Sequence, residues 1–254
     1  MSLAETVAQR ANFDHGQERI DLAAALRWTA RLEMHEGVAN HFSLAVDNAG
    51  TRFLINPNNR HFSRVRASDL LLLDADDPAT MERPDAPDPT AWGLHGAVHR
   101  LCPHARCALH VHSVYATVLA CLEDPCLPPL DQNAAMFYER VAYDLDYGGL
   151  ALAEEAERTC ANLSDPKKSV LIMGNHGVMV VGRTVAEAFD RLYYFERACQ
   201  TYIKALWTGR PLRILSHAVA AHTAAQLEDY GEPGAAHLRE LRAILDEEGS
   251  DYAD

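Results

Sequence analysis

Leu109-His110-Val111-His112-Ser113 ends a run of small and apolar residues, 105–111, whose composition suits a buried strand. Strand side chains alternate between faces, so His110 and His112 share one face. With 13 histidines in 254 residues, an H-x-H arises readily by chance, and alone it signifies no more than two half-buried imidazoles. A second stretch changes the reading. Gly174-Asn175-His176-Gly177 joins two apolar runs of strand length, Val170-Leu171-Ile172-Met173 and Val178-Met179-Val180-Val181-Gly182. These predict a buried hairpin, and such a hairpin has no structural need for a histidine at its tip. His110, His112 and His176 together are the donor set of a metal centre with three protein nitrogens and an open position.

Working outward, the chain has the size and apolar content, 48%, for one large core. A net charge of −13 and a pI near 5.4 oppose a nucleic-acid partner, which needs a basic surface. Six cysteines show no C-x-x-C spacing and several lie in apolar runs. With no signal-peptide pattern and no apolar run of membrane length, the expectation is a cytoplasmic protein with reduced thiols and no membrane partner.

The periodicity predicts a helix over 18–34 with Gly37 near its C-cap, and a hairpin of strands 41–46 and 52–55 around Asp47-Asn48-Ala49-Gly50. An apolar strand-like run follows at 70–73, then an Asp- and Pro-rich loop over 76–89. Thr90 is read as the N-cap of a helix over 91–101. Further helices are expected over 113–122, 152–163, 184–206, 219–230 and 235–246. The last two carry few large apolar residues, which suggests packing on a neighbouring subunit. Alternating helices and hairpins give the fold class: α/β, an α/β/α layered sandwich on a mainly antiparallel central sheet.

Several motifs in order resemble the class II aldolase/adducin family. They are Asn40-His41-Phe42-Ser43, Phe53-Leu54-Ile55-Asn56-Pro57, Thr90 through His95, Pro103 through Thr117, and Gly174 through Gly182 followed by Ala186-Glu187-Ala188-Phe189. The first two are more similar to the adducin-like branch than to the sugar-phosphate aldolases. The resemblance spans residues 18–210, leaving an N-terminal extension, 1–17, and a C-terminal helical extension, 211–254. It implies a homotetramer with sites at subunit boundaries. It also implies a divalent metal on His110, His112 and His176, zinc first, with manganese or iron as alternatives. In the aldolases such a metal polarises a carbonyl oxygen.

The chain departs from that pattern. Where the aldolases carry a Glu that acts as base and ligand, this register has Ala91, and restoring a carboxylate there is expected to tighten metal binding. Where they carry a proton-donating Tyr, the register has Gln132. Ordinary sugar-phosphate aldolase activity is therefore not expected. Candidate replacements are His95, one turn after Ala91, and His41, with Asp131 and Gln132 reaching a neighbouring site. Asp131 is equally placed to accept an N–H from a ligand imidazole. Asn40 and Thr90 are candidate substrate-binding residues. Three functions stay open: a metal-dependent lyase acting on a small carbonyl or hydroxy acid through a metal-stabilised enolate, a non-catalytic adducin-head-like module with a protein partner, and a non-haem iron oxygenase.

Overall fold

The computed structural model describes residues 14–149, 153–232 and 234–254. The expected helix start at Leu152, the break at Pro233 and most of the N-terminal extension lie outside these residues. Among these residues seven strands form one sheet: β1 (His41–Ala45), β2 (Arg52–Ile55), β3 (Leu71–Asp74), β4 (Cys107–Val111), β5 (Val141–Asp144), β6 (Val170–Met173) and β7 (Gly177–Gly182). Their spatial order is β3-β2-β1-β4-β7-β6-β5. Every neighbouring pair is antiparallel except β5–β6. This is the mainly antiparallel sandwich that the sequence predicts.

Among the described residues, eight α-helices accompany the sheet: α1 (Gly16–Arg31), α2 (Pro89–Leu101), α3 (Val114–Ala120), α4 (Gln132–Met136), α5 (Ala153–Asn162), α6 (Val185–Trp207), α7 (His217–Glu228) and α8 (Ala235–Glu247). Period-2 alternation assigns each strand residue to a layer. Cys107, Leu109 and Val111 join a large core with Leu22, Leu26, Phe189 and Phe195 of α1 and α6. Ala108 and Met179 face the other way, into a core with Leu94 and Val98 of α2 and Ala156 and Cys160 of α5. His41, Ser43 and His110 have the parity of this second face.

Local chemistry corrects two sequence expectations. Asp88, not Thr90, caps α2: its side chain accepts from the backbone N–H of Thr90 and Ala91, and Pro89 takes the first helical position. Pro suits that position because its missing N–H would be unpaired there anyway. α1 ends at Arg31 with Leu32 as its C-cap; Glu33 (φ 57°) is already left-handed, so Gly37 (φ 53°) serves the following turn and not the cap. The C-terminal helices pack on their own chain. Leu238 and Leu245 of α8 enter the main core, and Trp28 Nε1 donates to the Leu241 carbonyl at 2.9 Å. Arg242 pairs with Asp21 at 2.7 Å, and Arg140 joins the body of the protein to Glu228 of α7 at 2.6 Å. Among the described residues no helix is long and apolar enough to cross a membrane.

Candidate metal centre

β4 delivers His110 and the residue just beyond it, His112, to one end of the sheet. The β6–β7 hairpin delivers His176 beside them. Its three-residue tip closes with Asn175 in the left-handed region (φ 56°), a conformation Asn tolerates better than most side chains. The two segments can approach because of Gly177. A Cβ there would lie 2.6 Å from the Val111 carbonyl oxygen and 2.8 Å from His112 Cδ2. The chain leaving His112 is fixed by α6: Glu196 accepts from Ser113 Oγ at 2.7 Å and from the N–H groups of Tyr115 and Ala116 at 2.9 Å. This buried carboxylate does the capping of α3 that the Ser113 side chain does not do.

One nitrogen from each of His110, His112 and His176 lies within 4.8 Å of the others. His110 Nε2 and His112 Nε2 are 3.1 Å apart, close to the edge of about 3.3 Å that two imidazoles make on a tetrahedral zinc ion. Two of the outer nitrogens stand beside carboxylates, while His110 Nδ1 is buried without a hydrogen-bond partner. His112 Nδ1 donates to Glu36 at 3.1 Å, leaving its Nε2 lone pair toward His110. His176 Nδ1 stands 3.3 Å from the buried Glu155 carboxylate, without hydrogen-bond alignment. Carboxylates behind ligand imidazoles orient the ring and raise its basicity. Burial pushes the pKa of His110 well below its ordinary value, and burial chiefly lowers that of His112 as well, against the pull of Glu36. Neutral imidazoles present the lone pairs that a cation needs. The donor set therefore fits a divalent transition metal.

Beside the triad, His41 faces His110 across the β1–β4 ladder, with ring centroids 4.8 Å apart and planes at 25°. His41 Nδ1 is 2.7 Å from His95 Nε2. His95 Nδ1 meets Ser43 Oγ, which in turn lies 2.7 Å from His99 Nε2, and His99 Nδ1 donates to the Ala105 carbonyl at 2.9 Å. Burial lowers His41 and His99 to about 4, with the Asp88 carboxylate raising His41 and the Ala105 bond raising His99 in the opposite sense. Asn40 Oδ1 accepts from Glu36 N at 2.7 Å and from His112 N at 3.5 Å, while its buried Nδ2 has no hydrogen-bond partner.

The structure thus brings together seven of the residues that matter here: His110, His112 and His176, with His41, His95 and Asn40 named from the sequence and Ser43 added by the relay. The others lie outside this group within the chain. Asp131 caps α4 by accepting from Ala134 N at 2.8 Å, and Gln132 lines a cavity of about 470 Å³ with Met136, Tyr194 and His237. Thr90 hydrogen-bonds Asp88. Ala91 packs with Phe53, Ile55 and Leu73, so a carboxylate there would enter an apolar cluster rather than join the ligands. Glu36, Glu155 and Glu196 were not legible in the sequence: each meets its partner from 21 or more residues away, and none sits in a spaced motif.

The chain is similar to known proteins over most of its length. The sequence model of the family described as Class II Aldolase and Adducin N-terminal domain matches residues 20–203. A Caulobacter vibrioides protein named "Putative aldolase class 2 protein" is 33% identical over 195 residues, covering 76% of this chain and 74% of its own. Decarboxylase NovR of Streptomyces niveus is 31% identical over 206 residues, covering 81% and 75%. The crystal structure of an aldolase II superfamily protein from Pseudomonas syringae superposes with a TM-score of 0.84 at 31% identity, covering 98% of this chain and 100% of that one.

Proposed function

The chain belongs to the class II aldolase/adducin family, and from that premise we propose that it is a divalent-metal-dependent lyase acting on a small carbonyl or hydroxy-acid substrate. Aldol cleavage, decarboxylation and dehydration are the reactions in view. The observation that carries the reading is the triad itself: three lone-pair nitrogens gathered within 4.8 Å, with carboxylates behind two of the rings. A purely structural or scaffold module gains nothing from collecting three imidazoles at a sheet end.

His110, His112 and His176 hold the ion, with zinc the first choice and manganese or iron the alternatives, since imidazole suits several of these metals. When bound, a divalent cation here supplies Lewis-acid polarisation of a substrate oxygen, stabilising negative charge that develops on it. The chain's own groups do the rest. Glu36 holds the His112 ring in one orientation, and Glu155 stands behind His176. Asn40 Nδ2 is a buried donor free to meet a substrate oxygen, and such a donor left unpaired costs about 1–3 kcal/mol. His41, backed by His95, offers a buried imidazole stacked on His110. Thr90 has no substrate role in this reading beyond its place at the start of α2, and Asp131 and Gln132 contribute only through a neighbouring subunit of a homotetramer. A cytoplasmic location accompanies the reading. The relationship to NovR supports placing decarboxylation among the reactions tested first.

The test is an assay of metal-stripped protein against α-keto acids, α-hydroxy acids and hydroxyaldehydes, with zinc, manganese or iron returned and oxygen uptake followed in parallel. Metal-dependent turnover that is lost in His176→Ala, without oxygen uptake, is the expected result. Turnover coupled to oxygen uptake would assign the site to an iron oxygenase instead. Metal binding without turnover on any of these classes would overturn the lyase reading.

A further inference from the structure

The relay from Ala105 to His41 has a direction. The Ala105 carbonyl can only accept, so His99 Nδ1 carries a hydrogen. His99 is fully enclosed, and its burial keeps it neutral, so its Nε2 holds a lone pair. Ser43 must then donate its one hydroxyl hydrogen to His99, which leaves Ser43 Oγ as the acceptor for His95 Nδ1–H. His95 Nε2 is left bare and accepts from His41 Nδ1–H. One backbone carbonyl thus sets the tautomer of three imidazoles in succession, and the last lone pair is on His41 Nε2, the nitrogen turned away from His95.

We propose that Ser43, His95 and His99 are positioning residues that lock His41 in its Nδ1–H tautomer, so that His41 Nε2 is a fixed hydrogen-bond acceptor selecting substrates with an O–H beside the oxygen held at the triad. The proposal rests on the metal-site reading for its substrate and stands apart from it for the tautomer. His41 is stacked on His110 yet is not one of the three clustered nitrogens, which makes it a neighbour of the ligand set and a partner for substrate. Donors are already present at this end of the sheet, in the unpaired Asn40 Nδ2. A lone-pair acceptor at the same sheet end discriminates: an α-hydroxy acid or α-hydroxycarbonyl satisfies both groups, whereas a plain α-keto acid leaves the His41 lone pair unmatched. A site built around a hydroxyl rejects the analogue lacking it because its own polar group is stranded.

The experiment is solid-state 15N NMR of metal-free protein labelled at histidine nitrogen, with His41, His95 and His99 assigned by single substitutions. Expected is a protonated Nδ1 and a bare Nε2 at all three. A hydrogen on His41 Nε2 in the wild-type protein overturns the proposal, whether or not any variant folds. In Ser43→Ala the relay is cut: His99 keeps its tautomer, His41 and His95 become mixtures, and Ser43→Thr restores the single form. Unchanged His41 nitrogens in a folded Ser43→Ala protein would also overturn it. Metal content, read separately in the same samples, stays at the wild-type level in Ser43→Ala; wild-type protein that takes up no metal defeats the metal-centre reading while leaving the tautomer result standing.

Discussion

Replacing His99 by Asn should flatten the acid limb of the stability profile by about 2 kcal/mol. His99 titrates near 6.5 in an unfolded chain and, through burial first, near 4 in the folded one. The folded state therefore binds fewer protons, so this group's stabilising contribution is complete above pH 6.5. It declines as pH falls through 6.5 and levels off below about 4. The full difference, about 2.5 pH units, corresponds to about 3 kcal/mol. Between about pH 7.5 and pH 5 the linkage relation gives a loss of about 2 kcal/mol from His99 alone. Urea unfolding of metal-free wild type and His99→Asn at both pH values, at one protein concentration, measures this directly. Asn retains a donor toward the Ala105 carbonyl, and groups that do not interact with His99 titrate alike in both proteins. The variant is less stable at pH 7.5, but its further loss at pH 5 should be smaller than that of the wild type by about 2 kcal/mol. Equal losses in the two proteins would refute the claim that His99 is buried neutral and thus the starting point of the relay.

Three further outcomes follow from contacts at the site. Gly177→Ala brings a methyl group against the Val111 carbonyl and the His112 ring, so zinc affinity, measured by competition with a chelator, should fall about tenfold or more; unchanged affinity would mean that the hairpin can shift without moving His112. Glu196→Gln removes the charge from a cap accepting three hydrogen bonds and should cost about 1–3 kcal/mol in urea unfolding, with no loss expected if α3 is held by packing alone. Ala91→Glu places a carboxylate among Phe53, Ile55 and Leu73 and should destabilise the fold by about 2–4 kcal/mol without tightening metal binding; a gain in zinc affinity would show that the helix presents this position to the triad.

The sheet end carrying the triad was legible because it is written in local periodicity: an H-x-H fixes two side chains on one face, and a hairpin tip fixes the third. The β1–β2 hairpin was legible for the same reason. β5 was not. Val141–Asp144 is four residues long, carries no turn signal and pairs in parallel with β6, so its place depends on a crossover that no local pattern encodes. The α2 cap was misplaced by two residues because Thr90 is an acceptable cap in isolation; Asp88-Pro89 is the stronger signal once Pro is given the first helical position. α8 looked too polar to pack within its own chain. Its attachment combines two leucines with ion pairs to α1, contacts that join residues more than two hundred positions apart. The carboxylates behind the triad were invisible for a similar reason, and Ser43 looked like an ordinary strand residue until α2 brought His95 and His99 above it.

The central claim is that His110, His112 and His176 form a metal centre, and elemental analysis tests it most directly. Protein purified without chelator or affinity metal should contain about one zinc, manganese or iron per chain, as expected for a site with three protein ligands. The His110→Ala/His112→Ala double variant should lose that metal and keep its fold by circular dichroism. Wild-type protein that holds no metal, even after reconstitution, or a double variant that retains it, would contradict the account.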